Sequence, residues 1–156
     1  MEFLAPLAET PVARALIASS TLYLLVNAAH ILGISVLFGA ILALDLRILG
    51  LARDVPLVVV APYLSRLAGA GVLIAIATGL CLFSVKPVEY AQNPAFLAKI
   101  GFVGLGILNA ALVHFSQGWR AILADSEPRS VMRLSAWFSI TIWIAAVVAG
   151  RWIGFL

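Results

Sequence analysis

"NAAHILGISVLFGAILALDLR", residues Asn27 to Arg47, is an apolar run with a histidine near its start and an aspartate and an arginine at its close. No charged residue stands between Arg14 and Asp45. Crossing the hydrocarbon of a bilayer takes roughly 20 residues, within a range of about 17–25, and this window is longer than that. Three further charge-free windows, each close to the required length, follow: Arg66 to Lys86, Lys99 to Arg120, and Arg133 to Arg151. The chain is 63% hydrophobic and 11% charged over 156 residues, against about 25% charged in soluble domains. A soluble fold of this length has too little interior to hide that much apolar surface, so the solvent for these windows is lipid. Backbone amides in lipid must find partners within the protein, which leaves helices or a closed barrel. The runs are continuous rather than alternating, so they are helices.

These windows predict an all-α protein: a transmembrane up-down four-helix bundle with a short N-terminal interfacial segment, one domain over residues 1–156. The interfacial segment covers residues 1–19, and the helices lie near 20–50, 63–85, 94–124 and 129–154. Pro56, Pro62, Pro87, Pro94 and Pro128 are expected between spans, where a missing amide costs least. Asn93-Pro94 and Glu127-Pro128 read as helix starts with proline in the first helical position. Short connections imply antiparallel neighbours. Glu2 and Glu9 stand where a cleavable signal would be basic. Arg47, Arg53, Arg66, Arg120, Arg129 and Arg133 flank one side, and Arg14, Lys86, Lys99 and Arg151 the other. That bias puts both termini outside, and the expected location is a bacterial inner membrane with both termini in the periplasm. The net charge of +3 suits anionic headgroups and calls for no nucleic-acid partner. Cys81 is the single cysteine, which excludes an intrachain disulfide.

His30 and His114 both fall inside charge-free windows. An intramembrane ionisable residue is by default a functional hypothesis; the plain alternative is a neutral imidazole bonding neighbouring helices. A closed zinc site wants about four ligands, more than two histidines and a cysteine supply. Haem needs one or two axial ligands, so His30, with His114 as a possible second ligand to the iron, points to a haem site. Gly33 lies one turn from His30, and Gly106, Ala110 and His114 form a nearly bare ribbon against which a flat ring could lie. Gly71, Ala75 and Gly79 read as ordinary close packing between helices. Lys99 and Arg151 bound spans on the outer side and could meet haem propionates or simply reach the interface. An upright arrangement offsets the two histidines in depth by roughly 6–13 Å. Asp45 and Arg47 read as a solvated boundary, and Trp119 and Trp152 as interfacial anchors; for Trp137 and Trp143 the pattern leaves lipid and ring contacts open.

The stretch "LYLLVNAAHILGISVLFGAILALDLRIL" resembles the opening helix of the HemJ-type membrane protoporphyrinogen oxidases, and "NPAFLAKIGFVGLGILNAALVH" resembles their third helix. "SEPRSVMRL" is similar to the acidic residue and proline before their last helix. The chain also resembles bacterial four-helix membrane proteins of unknown function and, more loosely, the copper-resistance D family. The oxidase resemblance implies that His30 binds haem b, that Lys99 is functionally important, and that Arg47 matches the family's arginine. The chain departs from the pattern at Leu37, Asp45 and Val113. The expected function is haem b binding in electron transfer or a related oxidation, with a membrane redox partner or quinone and the possibility of a homo-oligomer. The alternatives are a small transport or copper-handling protein and a structural accessory subunit.

Overall fold

The computed structural model describes residues 2–155, with side chains from Leu4 onward. Four long helices dominate: α2 (Ser20–Leu49), α3 (Leu57–Val85), α5 (Pro94–His114) and α7 (Ser130–Trp152). All four are long and apolar enough to cross a membrane. Short helices α1 (Pro11–Ala18), before the first of them, and α4 (Pro87–Gln92) and α6 (Gln117–Leu123), in two of the connections, complete the helical set. A 3₁₀ stretch, Glu2–Glu9, precedes α1. Thr10 caps α1, whose Ala13 and Leu16 are buried; this packs the N-terminal segment onto the bundle end that holds both termini.

Local chemistry sets the helix boundaries. Ser19 accepts from the Leu22 amide to start α2, and Gly50 stops it at φ +108°, a left-handed conformation that glycine adopts without a Cβ penalty. Asn93 Oδ1 accepts from the amides of Ala95 and Phe96, with Pro94 in the first helical position of α5, as the sequence predicts. Three boundaries differ from expectation. α3 begins at Leu57, so Pro62 lies inside it rather than between spans. The proline sits near the helix start, where the ladder bond it removes is most easily replaced by water. α7 begins at Ser130, two residues beyond Pro128, with Arg129 at its N-cap. The third long helix ends at His114 rather than running on to 124. Ser116 Oγ donates to the Val113 carbonyl and accepts from the Trp119 amide, closing α5 and opening α6 with one side chain.

α2 is the centre of the packing. It lies along α3 and also meets α7, and α7 in turn packs on α5. α3 and α5 make next to no contact with each other along their length, so the bundle has one open edge. The α2–α3 pair is held by glycines facing each other. A Cβ on Gly71 would meet the Leu37 backbone nitrogen at 2.5 Å, and one on Gly33 would meet the Ala75 nitrogen at 3.0 Å. Such close approach is how membrane helices gain van der Waals contact where lipid offers no hydrophobic drive. Gly71 and Ala75 are therefore packing surface, as expected, whereas Gly79 faces the His30 side chain. On the other side of the bundle, Ser135 Oγ donates to Asn109 Oδ1 at 2.7 Å, and Asn109 Nδ2 donates back to the Ser135 carbonyl at 3.3 Å.

The two bundle ends are finished differently. At the end with the termini, the Phe83 and Phe96 rings stack at 5.4 Å and Tyr90 tilts against Phe96 at 5.5 Å. Burial, then neighbouring Tyr23 and Glu89, push the Tyr90 phenol above its ordinary value, so it remains a neutral interfacial side chain. At the far end, α6 folds back as a plug, with Trp119 and Ile122 buried against Ile48, Leu57, Ala61, Met132 and Ala136. Trp119 is 4% exposed. It is a core residue rather than the interfacial anchor the sequence suggests, because the break at Phe115 turns it inward.

Candidate functional site

His30 sits on α2 between α3 and α5, with its ring against the bare backbone of α3. A Cβ on Gly79 would lie 3.1 Å from His30 Cε1, so the glycine lets the imidazole sit close against the helix. Thr78, the preceding residue on α3, holds His30 Nδ1 at 3.0 Å. The single hydroxyl hydrogen of Thr78 is committed to the Ile74 carbonyl at 2.6 Å. Thr78 Oγ1 can therefore only accept from His30, which assigns the ring proton to Nδ1 and leaves the lone pair on Nε2. Facing that lone pair, 3.5 Å away, is Lys99 Nζ of α5. The lysine stem lies over Gly150 of α7, where a Cβ would come 3.3 Å from Lys99 Cδ. Side chains or glycine seats from all four long helices thus meet at one point.

Of the residues expected to form the site, His30 and Lys99 come together, and Gly33 lies one turn away in the α2–α3 contact. The rest are elsewhere. His114 ends α5, and the helix between it and Lys99 is about 22 Å long at 1.5 Å per residue. The four-carbon lysine stem cannot bridge that length, so His30 and His114 do not face one metal atom. The depth offset is larger than the sequence predicts because α5 stops at His114, which places the histidine at the helix end. There its ring lies 4.9 Å from the Trp119 ring. Gly106 is filled by Trp143, to which an added Cβ would approach within 2.7 Å. That part of the bare ribbon is a seat for α7. Ala110 is exposed on the open edge. Arg151 stacks on Phe155, its guanidinium carbon 4.6 Å from the ring centroid.

Asp45 overturns another expectation. It is 7% exposed rather than solvated, because α7 packs across it with Ser139 beside the carboxyl. Its neighbour Arg47 turns the other way and donates to the Val55 and Arg53 carbonyls, tying down the 50–56 loop. Trp143 is buried at 4% and Trp137 is 61% exposed, which divides the two undecided tryptophans between bundle and lipid. Thr78, Gly79 and Gly150 belong to the site although the sequence pattern does not single them out for it. Their only signal is a threonine–glycine pair within one apolar span and a glycine near the close of another. Among the described residues no three His, Cys, Asp or Glu side chains lie close enough to hold a metal ion, and Cys81 is free.

The helix lengths, the apolar spans and the ionisable groups held between them define a multi-pass membrane protein with four candidate spans. The chain belongs to a family of unknown function, DUF6644, whose model matches residues 18–156. No curated protein and no solved structure matches it.

Proposed function

We propose that this is a membrane haem b protein, with His30 Nε2 as the axial ligand, that passes electrons or carries out a related oxidation. The observation that carries the reading is the fixed ring: Thr78 holds Nδ1–H and turns the Nε2 lone pair toward Lys99. Ligand histidines are characteristically oriented by such a bond from the other ring nitrogen. The resemblance to the HemJ-type oxidases singles out the same two residues, His30 and Lys99. The donor set suits one axial imidazole and a nearby cation. Lys99 Nζ faces the His30 Nε2 lone pair, so for His30 to hold a haem the flexible lysine stem would turn aside, toward an acidic group such as a propionate. When bound, the haem would supply one-electron chemistry; His30 would hold it, and Lys99 would balance its charge. We place the protein in a bacterial inner membrane with both termini in the periplasm, on the bias of the basic residues. A membrane redox partner is implied. The test is the visible spectrum of the purified protein, with and without added haem. A Soret band that sharpens on dithionite reduction is expected; protein that stays colourless after haem supplementation would sink the reading.

A second reading is favoured by Lys99 itself. An ammonium facing an imidazole lone pair at 3.5 Å is a pair across which a proton can move, as a small proton-coupled transporter requires. That reading predicts no haem spectrum, and proton uptake into proteoliposomes that Lys99→Met abolishes.

A further inference from the structure

The open edge between α3 and α5 is the mouth of a groove of about 650 Å³, within the roughly 300–1,000 Å³ of small-molecule sites. We propose that this groove binds a membrane-dissolved amphiphile whose head group donates a hydrogen bond to Asp45. The site is separate from His30 and does not depend on the haem reading.

Three observations define the ligand. First, the walls are apolar: Leu37 from α2, Val72 from α3, Ile107 from α5 and Trp143 from α7. They suit an alkyl or isoprenoid body. Second, access is sideways. The α6 plug of Trp119 and Ile122 closes the far end, and the remaining opening lies between two spans that scarcely touch. A ligand dissolved in the bilayer reaches such a groove more readily than one in water. Third, the groove has a buried carboxyl as its anchor, with the buried Ser139 beside it. Asp45 lines it at 7% exposure, and its Oδ2 has no hydrogen-bond partner among the described residues. A buried acceptor left without a donor carries its full desolvation penalty, and a hydroxyl or ammonium head would relieve it. Arg66 and His114 also line the groove but are exposed, and neither bonds to Asp45. To the ionised carboxylate an acceptor-only head such as an ether or ester offers no hydrogen and gains nothing.

The test uses the full chain carrying Trp137→Phe and Trp152→Phe, which removes the two exposed tryptophans, in tryptophan-free nanodiscs at pH 9 with the Asp45 carboxyl ionised, and follows the emission of Trp143 and Trp119, which both line the groove. The probes are a terminally brominated dodecanol and its methyl ether, which share a tail and differ only in the donor. Saturable quenching is expected with the alcohol, about tenfold weaker with the ether and with the alcohol on Asp45→Leu, the loss of one hydrogen bond to a charged group. Equal quenching by alcohol and ether, or quenching that never saturates, would show simple partitioning and overturn the proposal. An Asp45→Leu protein that folds and binds the alcohol as tightly as the parent would do the same. So would a dimer in which a second copy shields Trp143 and no probe competes. The alcohol-to-ether ratio is read on the parent protein alone, so it stands even where the variant fails to fold.

Discussion

The Thr78 hydroxyl has one hydrogen, and the Ile74 carbonyl takes it. Thr78→Val keeps the shape of the side chain and removes the acceptor that fixes His30 Nδ1. Outer-shell partners of this kind are worth roughly 10–100-fold in metal affinity, and haem titration of the apoprotein should show a weakening in that range. The glycines make a second prediction at this scale. An added Cβ at Gly71 collides with the Leu37 backbone, whereas one at Gly69 meets nothing within 4 Å. Gly71→Ala should cost about 1–3 kcal/mol through overpacking, and Gly69→Ala close to nothing, in unfolding titrations by denaturing detergent. His30 and Lys99 were legible in the sequence because an ionisable group in or beside a charge-free window is conspicuous. Thr78 was not, because an isolated threonine in an apolar helix usually bonds its own backbone, and Thr78 does that as well as serving His30. Asp45 was legible as a charge but not as a buried one. Its burial depends on α7, which starts only at Ser130 and reaches Asp45 through the tertiary fold, not through any local pattern.

The span lengths and the Asn93-Pro94 start could be read from charge spacing and capping chemistry, both of which are local. The break after His114 could not. No proline or glycine stands at Phe115 or Ser116, and the stop is made by the Ser116 side chain bonding in both directions. Ser116→Ala should cost about 1 kcal/mol, as the loss of a helix cap does, and should loosen α6 enough to raise hydrogen exchange at Trp119 and Ile122. His114 belongs to this element. With about 22 Å of helix between it and Lys99, His114→Ala should leave haem content and the visible spectrum unchanged. A large loss of haem in that variant, with the fold intact, would contradict the helix boundary and bring the two histidines back into one site.

At the scale of the whole molecule, antiparallel spans place both termini at the His30 end of the bundle and the α6 plug at the Asp45 end. The proposed orientation, with the termini outside, rests on the bias of the basic residues. Alkaline phosphatase fused at the C-terminus should be active, and a fluorescent protein fused there should be dark; the reverse result would invert the bundle. The up-down order was readable from four windows and short loops. The open α3–α5 edge was not, because which pair of helices fails to close is decided by side-chain fit across the bundle rather than by any periodicity along it. The central claim is that His30 Nε2 carries the haem, and replacing the side chain by its free counterpart tests it most directly. His30→Gly is to be purified, reconstituted with haem, and titrated with imidazole while the Soret band is followed. The account predicts that the variant alone loses the band and that imidazole restores it saturably. Full haem retention in His30→Gly without imidazole would contradict it.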